Sequence, residues 1–109
     1  MEITWEDYEK VGLKVGTIIE IEDFPKARIP AYKMKIDFGE FGVKSSSAQV
    51  TTFYTKEDLM GTQVICVTNF PTKRIAGFKS EVLTLGLITK EGIVLVHPER
   101  KVQNGLDLL

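Results

Sequence analysis

Residues 69–86, NFPTKRIAGFKSEVLTLG, hold the best candidates for chemistry in this chain. Lys73 and Arg74 follow the turn-forming Pro71, and Lys79 stands just before a strand-like run at 82–85. Gly77 lies between them and, having no Cβ, lets the backbone approach a ligand closely. Fixed cations beside the rings of Phe70 and Phe78 suit a polyanion with flat, stackable groups, provided that a sheet holds the loop. The same pattern arises when a solvated loop lends its aromatics to the core. Nothing comparable points to catalysis. His97 is the only histidine, and no cysteine or second histidine stands at metal-ligand spacing from it. No nucleophile elbow, phosphate-cradling glycine loop or metalloprotease helix occurs. Glu57 and Asp58 are adjacent, so on a helix their carboxylates diverge. The chain reads as non-catalytic, with no cofactor and no metal.

Charge is informative in its distribution rather than its sum. The net charge is −1, which taken alone argues against a nucleic-acid binder. Residues 1–23 carry seven acids against two bases, whereas residues 24–80 carry nine bases against four acids. The middle of the chain can therefore present a local basic face to phosphates although the whole is nearly neutral.

The elements that would hold these groups are short strands with one or two helices. Residues 2–9 suit a short amphipathic helix with Ile3, Trp5 and Tyr8 on its apolar side. Residues 13–24 alternate as a strand, with Thr17, Ile19 and Ile21 on one face and Ile18, Glu20 and Glu22 on the other. Gly16 within it suggests a bulge or bend. In the next strand, 32–38, Met34, Ile36 and Phe38 alternate with Lys33, Lys35 and Asp37, which predicts one wet, cationic face. A third strand lies at 43–46. Residues 52–59 read as helical, with Thr55 and Asp58 spaced for a capping box and Gly61 as the stop. Strands at 63–67, 82–87 and 93–96 complete the set.

At 109 residues this is one domain, large enough for its own core. A strand-rich chain with a helix between its third and fourth strands fits a mainly β, five-stranded OB-fold barrel with N- and C-terminal extensions. In that architecture the nucleic-acid surface is one sheet face and two adjoining loops. Here those are residues 23–31 and 69–79, the two most basic loops. Cys66, in the apolar run 64–67, reads as a buried thiol, and a lone cysteine forms no internal bridge, which suits a cytoplasmic protein. Residues 1–10 are acidic and polar, unlike a signal peptide, and no apolar stretch approaches the ~20 residues of a membrane span. Membrane insertion is not expected.

Three segments, VGLKVGTIIEIEDFPKARIPAYKMKIDFG, KSSSAQV and QVICVTNFPTKRIAGFKSEVLTLG, resemble the CsaA proteins. These are small stand-alone relatives of the tRNA-binding domain appended to methionyl-tRNA synthetases. The likeness runs from about Asp7 to Gly105. It implies a cytoplasmic OB-fold homodimer with tRNA-binding ancestry and a chaperone role in protein export. Residue by residue, Lys73, Arg74, Lys79 and Ser80 match the family's basic loop, Lys26, Arg28 and Lys33 match the loop after the first strand, and Ser46, Ser47 and Gln49 match its polar SSAQ segment. Two positions depart from the synthetase-type pattern. Gly12 stands where related domains often have Asp, and Glu81 puts a negative charge where an RNA phosphate would approach.

If tRNA or another structured RNA is the ligand, the lysines and arginines neutralise phosphates, and Phe78 either stacks a base or anchors the loop in the core. Ser46, Ser47 and Gln49 either contact sugars and base edges or satisfy strand-end backbone groups. The alternative partner is an unfolded or export-bound polypeptide, which needs exposed apolar surface. Apolar residues at both ends, Ile3, Trp5 and Tyr8 with Leu106, Leu108 and Leu109, either pack across a symmetric dimer interface or cap the barrel.

Overall fold

The alternation of residues 32–38 organises the sheet. In a computed structural model describing all 109 residues, β2 (Tyr32–Asp37) is the second strand of a five-stranded antiparallel sheet. It lies between β3 (Val43–Ala48) and the long β1 (Leu13–Asp23). Beyond β1 come β4 (Gln63–Val67) and the short β7 (Leu83–Thr84). Met34, Ile36 and Phe38 are fully buried, as their period of two predicts. They join Ile18, Val64, Cys66, Leu59 and Val82 in the core. The sheet curls until β3 meets the segment entering β7, giving the nearly closed OB barrel that the pattern of strands predicted.

The phase of β1 differs from simple alternation. Ile18 pairs with Ile36 and Glu20 with Lys35, so Ile19 is an extra, unpaired residue, a β-bulge. Ile18 and Ile21 consequently both turn inward, and Ile19 is left exposed. Gly16 is not the bulge. A Cβ there would lie 2.6 Å from Ile36 Cγ2 and 2.8 Å from Phe38 Cε1, so the absent side chain makes room for the core.

Both helices are shorter than their sequence patterns. α1 spans Trp5–Glu9 and α2 spans Lys56–Leu59, each opened by a reciprocal cap, Thr4 with Asp7 and Thr55 with Asp58. The caps fix where each helix begins, so residues 2–3 and 52–54 stay outside. The predicted strand at 82–87 is broken after Thr84. Leu85 N–H still donates to the Ile65 carbonyl of β4, and from Gly86 the chain forms a separate hairpin, β8 (Gly86–Ile88) with β9 (Ile93–Leu95). Residues 105–108 return along the first half of β1. Val15 N–H donates to the Leu106 carbonyl, Gly105 N–H to the Val15 carbonyl, and Lys14 pairs with Asp107 at 2.6 Å. Tyr8 donates its hydroxyl to the Leu109 carbonyl at 2.9 Å, so the two ends of the chain lie together. Ile3, Trp5 and Leu106 remain exposed beside that junction. No helix is long and apolar enough to cross a membrane.

Candidate nucleic-acid interface

The basic loop is largely a β-hairpin. β5 (Lys73–Ile75) and β6 (Phe78–Ser80) pair in the register Lys73 with Ser80, Arg74 with Lys79 and Ile75 with Phe78. The two-residue turn Ala76-Gly77 has both φ angles positive, +48° and +84°, as a type I′ turn requires. Glycine accepts this freely, whereas alanine in the left-handed region costs about 1–2 kcal/mol.

Directly opposed residues share a face, so the hairpin has two different sides. Arg74 and Lys79 stand side by side on the outer one, both exposed and neither in an ion pair. Lys73, Ile75, Phe78 and Ser80 belong to the other. Phe78 packs edge-on against the buried Phe24, with ring centroids 5.5 Å apart. That contact ties the hairpin to the loop at 24–31, where Lys26 and Arg28 are also exposed and unpaired. With Lys73, five exposed and unpaired cations thus lie on the two segments that this contact joins.

Lys33, grouped with these cations by sequence, has a different setting. Its ammonium lies 5.5 Å from the Phe24 ring centre, 5.8 Å from that of Phe78 and 3.6 Å from the Glu22 carboxylate. Lys35 is 3.3 Å from Glu20. The predicted cationic face of β2 is wet, but each of its lysines has an acid beside it.

The serine run closes the barrel. The Ser45 carbonyl accepts hydrogen bonds from the N–H groups of Glu81 and Val82, at 2.8 and 3.2 Å. Glu81 turns its carboxylate back onto β3 and accepts from the Ser45 N–H at 3.0 Å. That bond holds the Glu81 carboxyl below the ordinary carboxylate range. Glu81 is thereby committed to the seam rather than aimed at a ligand. Ser47 donates its N–H to the Ser80 hydroxyl at 3.1 Å. Ser46 is fully buried, its hydroxyl 2.9 Å from that of Thr84, and so is out of reach of any ligand. Gln49 stays exposed.

Beyond the seam lies an open groove of about 620 Å³, walled by Gln49, Phe70, Lys73, Ile75, Leu85 and Ile93 among others. Lys73 is its one cation; Arg74 and Lys79 lie outside it. The basic surface and the groove are therefore neighbouring but separate features. Asn69 anchors the segment leading into both, accepting from the Gly12 N–H at 2.8 Å and donating to the Lys10 carbonyl at 2.6 Å. Sequence reading missed Phe24, Asn69 and the pairing of Glu20 and Glu22. The i, i+2 spacing of those glutamates, facing the same spacing of Lys33 and Lys35, was the available signal.

Elsewhere, burial pushes the Cys66 thiol up to about 12, so this buried sulfur is a poor nucleophile at neutral pH. His97 reaches the Gln63 carbonyl through Nδ1. Gln63 in turn holds the C-terminal segment by bonds to Val102 and Asn104.

A family model for a tRNA binding domain matches residues 13–107. Among solved structures, the chaperone CsaA of Bacillus anthracis str. Ames shares 45% identity over the full length of both chains, with a TM-score of 0.95. The CsaA chaperone protein of Picrophilus torridus shares 46% identity over 99% of this chain and 100% of that one, with a TM-score of 0.93. The methionine–tRNA ligase of Pyrococcus horikoshii is 33% identical over 103 residues, 94% of this chain. This chain spans only 14% of that ligase's length.

Proposed function

We propose that this chain, which belongs to the tRNA binding domain family, is a non-catalytic module that binds structured RNA, tRNA foremost, through its two cationic loops. The observation that carries this reading is the Arg74–Lys79 pair. Like charges directly opposed across a ladder destabilise a hairpin, and here no carboxylate is in ion-pair contact with either, Glu81 acting on Lys79 only at longer range. A phosphate would relieve them, and Arg74 can grip one with two parallel hydrogen bonds. Lys26 and Arg28, across the Phe24–Phe78 contact, supply further phosphate sites. Lys73, Ser47, Gln49 and Ser80 lie along the groove and could receive a base or sugar that follows the backbone there.

The groove also supports a second reading. Half of its sixteen lining residues are apolar, Phe70, Ile75, Leu85 and Ile93 among them, and suit the side chains of an unfolded polypeptide, the class of partner that the chaperone relatives suggest. The exposed apolar ends suit a second copy of the chain, hence a homodimer, whose mass sedimentation of the same sample would read.

Salt separates the two ligands. Phosphate-driven binding falls steeply with salt, whereas apolar burial does not weaken in that way. Fluorescence anisotropy with tRNA across a salt series should give a steep slope for the wild type. In Arg74→Ala/Lys79→Ala the slope should be shallower by about 1.4–1.8, with affinity lower on the order of a hundredfold at 50 mM salt. No binding of tRNA at low salt would leave the polypeptide as the better ligand.

A further inference from the structure

We propose that Glu20 and Glu22 are specificity determinants that keep extended single-stranded nucleic acid off the sheet face beside the two cationic loops. The proposal rests on the RNA-binding reading above and narrows its ligand to compact, folded RNA.

The device begins with the bulge at Ile19. In an unbroken ladder Ile19 would oppose Lys35, and Glu20 would point at Met34 and the core. The extra residue shifts the register, placing Glu20 opposite Lys35 and Glu22 opposite Lys33 on the outer face. Two ion pairs result, at 3.3 and 3.6 Å. They line a small hollow of about 70 Å³ with Met34 and Phe78, so the strip adjoins the hairpin that carries Arg74 and Lys79. Its Lys33–Glu22 end also abuts Phe24, where the loop of Lys26 and Arg28 begins.

An oligonucleotide that leaves the joined loops along the outer face of β1 and β2 runs over this strip. There it meets no net positive charge. It also meets the acids first at the loop end, because the Glu22 side chain is 73% exposed and Lys33 only 31%. A folded RNA can instead bring phosphates of its rigid surface to the two loops and leave the strip uncovered. The more exposed pair, Glu20 with Lys35, adds little stability of its own, so a structural role accounts poorly for it.

The test compares unfractionated tRNA with a single-stranded 20-mer of uridine, each bound to the full chain between 50 and 200 mM salt. The wild type should bind tRNA with a steep salt slope and the 20-mer weakly. Glu20→Gln/Glu22→Gln frees two ammonium groups. For the 20-mer the slope should steepen by about 1.4, making the affinity ratio between 50 and 200 mM salt about sevenfold larger. tRNA affinity should change much less. Adding Lys35→Met should remove about half of the gain in slope, while Lys35→Met alone should leave tRNA binding unchanged. A folded Gln variant with the wild-type slope on the 20-mer, in a protein that does bind tRNA, would overturn the role of the glutamates and leave the RNA reading intact. Failure of the wild type to bind either RNA would overturn both.

Discussion

Two strand pairs in this molecule present lysine and arginine side chains outward, and their neighbours differ. On β5–β6, Arg74 faces Lys79 with no acid in ion-pair contact with either; on β1–β2, Lys33 and Lys35 each face a glutamate. Both pairs lie in or beside the segment that counting marks as basic, yet only the hairpin offers unneutralised charge. The difference teaches that attraction for a polyanion is set by cross-strand register, not by the number of cations in a stretch of chain. The hairpin keeps a like-charge repulsion that the sheet face avoids, which is the pattern expected where a ligand completes the charge balance.

The sharpest way to break this contrast is to give the hairpin its own acid. Lys79→Glu places a carboxylate opposite Arg74 and copies the arrangement of the sheet face. RNA affinity should fall at least about tenfold at 50 mM salt, further than for Lys79→Ala. Thermal stability should rise by a few tenths of a kcal/mol, since an opposed ion pair replaces a repulsive one. Anisotropy and calorimetry on the same samples read the two opposite signs.

A smaller effect should distinguish anchoring from stacking at Phe78. Its edge contact with Phe24 places it as the hinge between the two cationic loops. Phe78→Leu, which keeps an apolar group there, should retain RNA affinity within about twofold. Phe78→Ala should lose about 1–3 kcal/mol of stability, and affinity with it. Loss of affinity in a stable Leu variant would assign Phe78 to base stacking.

The smallest effect concerns the seam that supports the hairpin. The Ser45 N–H favours the charged form of Glu81, so the folded-state pKa lies below the ordinary 4.5. The stability gained is complete above that ordinary value and fades as pH falls through the lower, folded one. Glu81→Gln should therefore flatten the acid limb of the stability profile below about pH 4.5, and an unchanged limb would show that the seam does not depend on this carboxylate.

Much of the fold was legible because local chemistry and global structure agree. The alternation of β2, the Thr55–Asp58 capping box and the apolar run of β4 all appear where the sequence puts them. The candidate site was legible in part. Its cations and Phe78 stood out by type; the structure leaves Lys26, Arg28, Lys73, Arg74 and Lys79 exposed and unpaired and sets Phe78 against Phe24. Lys33 and Ser46 carried the same kind of signal, but tertiary partners occupy them. Glu81 looked like an obstacle to a ligand and instead fastens β3 to the strand opposite.

By itself, then, the sequence determined which residues are apolar at a period of two, where helices are capped and how charge is divided along the chain, because each depends on neighbours a few positions away. Only the tertiary structure decided which cations stay free. A single extra residue at Ile19 turns two glutamates outward against two lysines. A two-residue turn at Ala76-Gly77 sets Arg74 beside Lys79. Register is a relation between distant strands, fixed when the barrel closes around its core, and no window of consecutive residues contains it.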